Sequence, residues 1–463
     1  MKKQIFNPYM PSWEYVPDGE PHVFGDRVYV YGSHDIFNGW AFCIGDYICY
    51  SAPVNDLTDW RYEGVIYPKT SDPLNKDGRM NMFAPDVTQG PDGRYYLYYV
   101  LDMEDIVSVA VCDTPAGEYK FYGYVHHPDG TLYGRCAGDY PQFDPGVMTE
   151  GDKTYLYTGF GRLRGPGAIA TVLGSDMLTI IEKPHLIVPS ISYEGDALDK
   201  EDYKNHEFFE ASSIRKFNGK YYFIYSSDVC HELCYATSDN PTGDFKYGGV
   251  LISNADFNID TYKPADVKMR HSGNNHGSVE LINGEYYIFY HRQTNKTSYS
   301  RQGCAEKIVM NADGSFTQAE ISSCGLNGGP LEGKGFYPAH IACYVFSGDY
   351  NQIHFPKITQ DGKDGDEMLG HVADITKGCT VGFKNFEFDG TTSEIKLWIR
   401  GYGVGEFEVR TEIDGEILSK IPVSKANIWE ERSAAIKIPA GVHSLFFTYR
   451  GVNSTSIHGF ELI

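Results

Sequence analysis

No Lys/Arg cluster marks this 463-residue chain: 40 Lys and Arg stand against 62 Asp and Glu, a net charge of −22. The electrostatic footprint of a nucleic-acid binder is therefore missing. Long apolar runs are missing too. The opening MKKQIFNPYMPSWEY has two lysines but no apolar run of signal-peptide length behind them, and nothing later approaches a membrane span. A soluble, cytoplasmic chain is expected. Cysteine is sparse and unpatterned: ten residues lie between Cys43 and Cys379 without a CxxC pair, and Cys230 and Cys234, the nearest two, lack the companion ligands of a zinc site. They are expected to be reduced and mostly buried. Nothing calls for an organic cofactor, and a neutral partner such as a sugar suits this surface better than a nucleic acid or a membrane.

Aromatic residues and glycine are abundant, with 36 Tyr, 26 Phe and 50 Gly. That mixture favours many short strands joined by tight turns, an all-β chain. Five segments repeat: DRVYVYG from Asp26, GRYYLYY from Gly93, DKTYLYT from Asp152, GKYYFIY from Gly219 and GEYYIFY from Gly284. Aligned on Tyr29, Tyr96, Tyr155, Tyr222 and Tyr287, they are spaced 67, 59, 67 and 65 residues apart, room for about four short strands each. Repeated units of four antiparallel strands are propeller blades. A five-bladed β-propeller is expected over residues 1–325. After the glycine-rich CGLNGGPLEGKG, the segments SEIKLWIRG, EFEVRTEIDG and HSLFFTYRG alternate with period two, and predict a second domain over 326–463, a β-sandwich of jelly-roll type.

Stepping back along each repeat from its tyrosine, Asp18 lies 11 residues before Tyr29, Asp86 10 before Tyr96, Asp144 11 before Tyr155, Glu210 12 before Tyr222 and His276 11 before Tyr287. The first strand of every propeller blade lines the axis, so four carboxylates and a histidine converge on one cavity. Such a ring is costly for stability and useful for general acid chemistry, because repulsion and burial raise carboxyl pKa values. On a ring of radius about 4 Å, residues of non-neighbouring blades stand about 8 Å apart, the separation of an inverting glycosidase pair. Glu210 as acid then has two candidate bases on non-neighbouring blades, Asp18 and Asp86. Asp144, on the blade beside it, would keep Glu210 protonated. Glu20 shares strand parity with Asp18 and rivals it; Glu207 faces away from Glu210.

These words resemble glycoside hydrolase family 43 over roughly residues 7 to 320. NPYMPSWEYVPDGEP, APDV, FDPGVM and FFEASSIRKFNGKYYFIYS look like that family's blade openings, in the right order. The resemblance implies that Asp18 is the general base, Asp144 the residue that orients the acid and tunes its pKa, and Glu210 the general acid, with inversion in one displacement. Asp86 is left as a contact to a substrate hydroxyl. The resemblance further implies that Arg292 and Arg301 reach the active site, and that His276 is associated with a cation, often calcium, near the axis. Phe83 stands where many members have Trp, which touches the aromatic platform for substrate.

Beyond residue 326 the words GDYNQIHFPKI, EFEVRTEIDGEIL, NIWEE, AGVHSLFFTYRG and IHGFELI look like a family 6 carbohydrate-binding module, with Trp398, Tyr402 and Trp429 available to stack on sugar. The expected activity is removal of terminal α-L-arabinofuranosyl or β-D-xylosyl groups from hemicellulose oligosaccharides. A non-catalytic sugar-binding propeller and an arabinan- or galactan-cleaving enzyme of the same family are the alternatives.

Overall fold

Five four-stranded antiparallel sheets follow one another along the chain, each paired in sequence order from the axis outward. The computed structural model describes residues 3–347 and 355–463; most of GDYNQIHFPKI lies outside them. The blades open on Glu20–Phe24, Met82–Gln89, Gly146–Glu150, Phe208–Phe217 and Val279–Ile282. Each pairs with the tyrosine-rich second strand that the repeat alignment picked out. Alternation along those second strands buries tyrosines between blades: Tyr31, Tyr98, Tyr157 and Tyr225 are fully buried. The protein is a five-bladed propeller with a β-sandwich.

The ring closes at its ends. Gly19 bridges Gly277, joining the first and last inner strands. The chain start is sewn to blade 5 by Asn7, whose Nδ2 donates to the Ala305 carbonyl (3.0 Å) and Glu306 Oε1 (2.7 Å), while its Oδ1 accepts from Ala305 N (3.1 Å).

The sandwich has two six-stranded sheets. One is built on Thr380–Phe388, Gly441–Val452 and Val404–Arg410, the other on Thr455–Leu462, Glu394–Gly401 and Ala426–Ala435. Ile395, Leu397 and Ile399 point into the core and Lys396 and Trp398 away from it, the parity that alternation predicts. The sandwich is bolted to the propeller by a buried cation: Lys384 Nζ donates to Asp256 Oδ2 (2.9 Å) and Glu320 Oε1 (2.6 Å). It also touches loops of blades 1 and 5, where Asp364 accepts from Phe37 N (2.7 Å) and Thr359 Oγ1 donates to Asn295 Oδ1 (2.8 Å). Trp398 is packed edge-on by Phe336, Trp429 lies under the Arg400 guanidinium, and Tyr402 is exposed. All ten cysteines are unpaired and seven of them are buried.

Candidate active site

Strand register sorts the axial side chains into levels. The repeat tyrosines pair with His22, Thr88, Met148, Arg215 and Glu280, the deepest level. Two residues nearer the mouth, Glu20, Asp86, Gly146 and Ser213 oppose Tyr31, Tyr98, Tyr157 and Ile224, and Ser278 accepts from Phe289 N. Asp18, Asp144, Glu210 and His276 lie one level higher and line a cavity of about 360 Å³ with Phe83 and Arg301.

Asp86 does not belong to that upper level, which corrects its assignment as a substrate contact. In four blades the tyrosine pairs with the residue 7 before it, but in blade 2 with Thr88, 8 before, because the Gly90–Arg94 hairpin is one residue longer. An offset of 10 therefore falls one level short. Asp86 is fully buried and accepts from His22 Nε2 (2.6 Å), Val87 N (2.7 Å) and Val147 N (2.7 Å), stapling three inner strands together. Burial opposes its charge, and His22, Arg215 and the Val147 N–H together outweigh burial, holding its pKa below the ordinary value. Asp86→Ala is accordingly expected to lower stability by about 1–3 kcal/mol and to leave KM unchanged, read by denaturant titration beside steady-state kinetics.

The position in blade 2 equivalent to Glu210 is Phe83. Both open an irregularity in which four residues oppose three, Phe83–Asp86 against Val100–Tyr98 and Glu210–Ser213 against Ser226–Ile224. Such bulges re-aim side chains at sheet ends. The strand entries are kinked in the other blades too: Asp18, Asp144 and Ala211, the residue after Glu210, have φ of 57°, 41° and 67°. Left-handed backbone on non-glycine residues marks stored strain, here at two of the carboxyl positions and beside the third. Gly146 allows the inner strands of blades 3 and 4 to run together, since a Cβ there would lie 2.5 Å from the Ser212 carbonyl. Asp144 Oδ2 thereby accepts from Ala211 N at 3.0 Å.

The three carboxyls are held in opposite protonation states. Burial would raise the pKa of Asp18, but the Arg301 guanidinium outweighs it and holds the group well below the ordinary carboxylate range. Arg301 Nη1 donates to Asp18 Oδ1 (2.9 Å), while its Nε and Nη2 grip Asp35 (2.8 and 3.0 Å). His291 donates through Nε2 to the Asn274 carbonyl (2.6 Å), which leaves Nδ1 to accept from Asp18 N (3.3 Å); burial lowers its pKa. Glu210 is pushed up to about 8 by burial, then by the charges of Asp144 and Asp18. Asp144 is raised to about 7, first by burial, with His276 opposing and Asp18 adding. An ionised carboxyl and a protonated one thus face one cavity. The protonated form is lost as pH rises through Glu210's value, so kcat/KM is expected to fall above about pH 8. A pH–rate profile of wild type and of Glu210→Gln, which has no such limb, checks this.

Arg301 lines the cavity as expected; Arg292 does not. Its Nη2 donates to Glu306 Oε1 (3.1 Å) and the Ser322 carbonyl (2.8 Å) behind blade 5. Adjacent residues of a strand face opposite ways, and it is the neighbour His291 that faces Asp18. Alternation along FYHRQ is a signal that finds His291. Asp35 sits in the loop after the second strand of blade 1, outside the repeat, and nothing in its local sequence marks it. One wall is aromatic: Phe83, Phe143, Phe160 and Phe209 form a chain of centroid contacts at 5.4, 4.9 and 5.2 Å. At the mouth Arg164 lies over Phe160 and pairs with Asp105 (2.7 Å).

His276, expected beside a cation, lies at the level of the acids, between Asp144 and the Glu20 carboxylate below. Its Nδ1 is 3.7 Å from Asp144 Oδ2 and its Nε2 3.6 Å from Glu20 Oε1. Nε2 and Glu20 Oε1 are both buried and have no other partner among the described residues.

Residues 22–316 match the model of glycosyl hydrolases family 43. A xylosidase/arabinosidase of Thermoclostridium stercorarium is 60% identical over 100% of this chain and 99% of its own. Among solved structures, a family 43 arabinoxylan arabinofuranohydrolase from Bacillus subtilis, in complex with cellotetraose, superposes with a TM-score of 0.53 at 22% identity, covering 98% of this chain and 97% of its own. A β-xylosidase/α-arabinofuranosidase from a compost microbial metagenome, in complex with xylotriose in a calcium-free form, does so with 0.52 at 27% identity, over 67% and 96%.

Proposed function

Because the chain belongs to family 43 of the glycosyl hydrolases and is a glycoside hydrolase, we propose that it removes terminal α-L-arabinofuranosyl and β-D-xylosyl groups from arabinoxylan-type oligosaccharides with inversion. Asp18 takes the proton of the attacking water and Glu210 donates one to the leaving oxygen. Asp144 orients and tunes Glu210. The observation that carries this reading is the opposed pair itself. Arg301 holds Asp18 ionised while burial and two neighbouring charges keep Glu210 protonated, the division of labour that acid–base hydrolysis needs. Blades 1 and 4 are not neighbours, which leaves room for a water between the two. The pentose specificity rests on the full-length relative, named for both xylose and arabinose.

The phenylalanine wall offers an apolar surface to a sugar face. Proton NMR of the first turnovers on nitrophenyl α-L-arabinofuranoside, nitrophenyl β-D-xyloside and arabinoxylan oligomers tests sugar, linkage and stereochemistry together. Inverted pentose released from chain ends is the expected product. Retained configuration, or internal cleavage of an arabinan, would overturn the proposal.

A further inference from the structure

Below the acid pair the axis holds charged groups that proton transfer does not use. Arg215 rises from the deepest level and is almost wholly buried. Its Nη2 donates to Glu20 Oε2 (2.9 Å) and the Pro21 carbonyl (2.7 Å), its Nη1 to the Ile214 carbonyl (2.7 Å), and its Nε is 3.4 Å from Glu280 Oε2. The other oxygen of Glu20 faces His276 Nε2, and the far side of that imidazole faces Asp144. Basic and acidic side chains therefore alternate from contact to contact: Arg215, Glu20, His276, Asp144. We propose that the cation beneath the acid pair is built into this chain, with Arg215, Glu20 and His276 forming a relay that stands in place of a bound calcium ion.

The donors at this level do not make a calcium site. Calcium takes about 6–8 oxygens, and among the described residues Glu20 Oε1 is the fully buried carboxylate oxygen without a hydrogen-bond partner. Ser213 and Ser278 bond each other (2.8 Å), and Ser213 also donates to Glu20 Oε2 (3.0 Å). Blade 3 contributes Gly146, which has no side chain, and both oxygens of Asp86 are taken. Glu20, His22 and Asp86 do bring donor atoms within 4.8 Å of one another, but His22 is committed to Asp86 and Glu20 to Arg215. A guanidinium bonded to the same carboxylate is a permanent positive charge beside any cation that entered, and it stays charged at every relevant pH.

The test uses the full chain passed over chelating resin, with bound metal read by plasma mass spectrometry, Tm by calorimetry and kcat/KM on a nitrophenyl pentoside, each with and without added calcium chloride. The relay predicts calcium far below one per chain, an unchanged Tm and kcat/KM within about twofold. Stoichiometric calcium whose removal lowers Tm, or costs about tenfold or more in kcat/KM, would overturn it. Arg215→Met frees Glu20 and Glu280, so calcium is expected to raise the Tm of that variant and to restore lost activity. Arg215→Lys keeps the charge and should remain indifferent to calcium. A folded, active Arg215→Met that ignores calcium, or a calcium-dependent Arg215→Lys, refutes the assignment of Arg215, and the Lys variant decides alone where the Met variant does not fold. Metal content and Tm are read without substrate, so failure here is separate from failure of the pentosidase reading.

Discussion

Glu210→Gln is expected to lower kcat about 10²–10⁴-fold on xylo- and arabino-oligosaccharides and far less on dinitrophenyl pentosides. The amide fills the same volume, so the phenylalanine wall and the strained turn at Ala211 persist, but it has no proton to give. Glu210 holds its proton up to about pH 8 because it is buried beside Asp144 and Asp18, and an alkoxide leaving from a sugar needs that proton in the transition state. Dinitrophenolate departs without help. The two losses must therefore diverge, and steady-state kinetics on both substrate types reads the gap. Equal losses would remove Glu210 from the role of acid and point to a collapse of the site instead. Asp144→Asn separates the parts further: it removes the nearest charge raising Glu210, so the alkaline limb of kcat/KM should move down in pH while the dependence on leaving group stays.

The propeller was legible because its blades repeat a tyrosine-rich strand at nearly constant spacing, and that strand is the second of each sheet. Offsets from those tyrosines brought Asp18, Asp144, Glu210 and His276 to one cavity. The same offsets misplaced Asp86, since a one-residue difference in hairpin length is invisible until the pairing is known, and on an axis layered every two residues it shifts a side chain by a level. Arg292 failed for a different reason. Resemblance supplied its position but not its parity, and in FYHRQ the residue facing Asp18 is His291. Asp35 lies on a loop, where no periodicity constrains direction. Arg215 reads locally as one more charge in a strand, SSIRKF. What it neutralises, Glu20 of blade 1 and Glu280 of blade 5, becomes visible only when the ring closes.

Arg301→Met should damage stability and catalysis together, and a second substitution should split them. Arg301 is buried between two carboxylates that are themselves buried, Asp18 and Asp35. Removing it leaves them unpaired, a change that costs about 3–5 kcal/mol in buried ion pairs, to be measured by denaturant unfolding. Catalysis falls by a separate route. With the guanidinium gone, the dominant remaining influence on Asp18 is burial, which raises its pKa, so the base binds a proton at neutral pH and cannot accept one from water. The sign follows: kcat/KM of the variant should climb with pH as Asp18 ionises, until Glu210 loses its proton near 8, whereas wild type is flat through neutrality. Asp35→Asn on the same background removes one of the two stranded charges. It should recover much of the stability and little of the activity, because Asp18 still lacks its counter-charge. Recovery of both together would mean that Arg301 serves the fold alone, and that Asp18 stays ionised without its guanidinium.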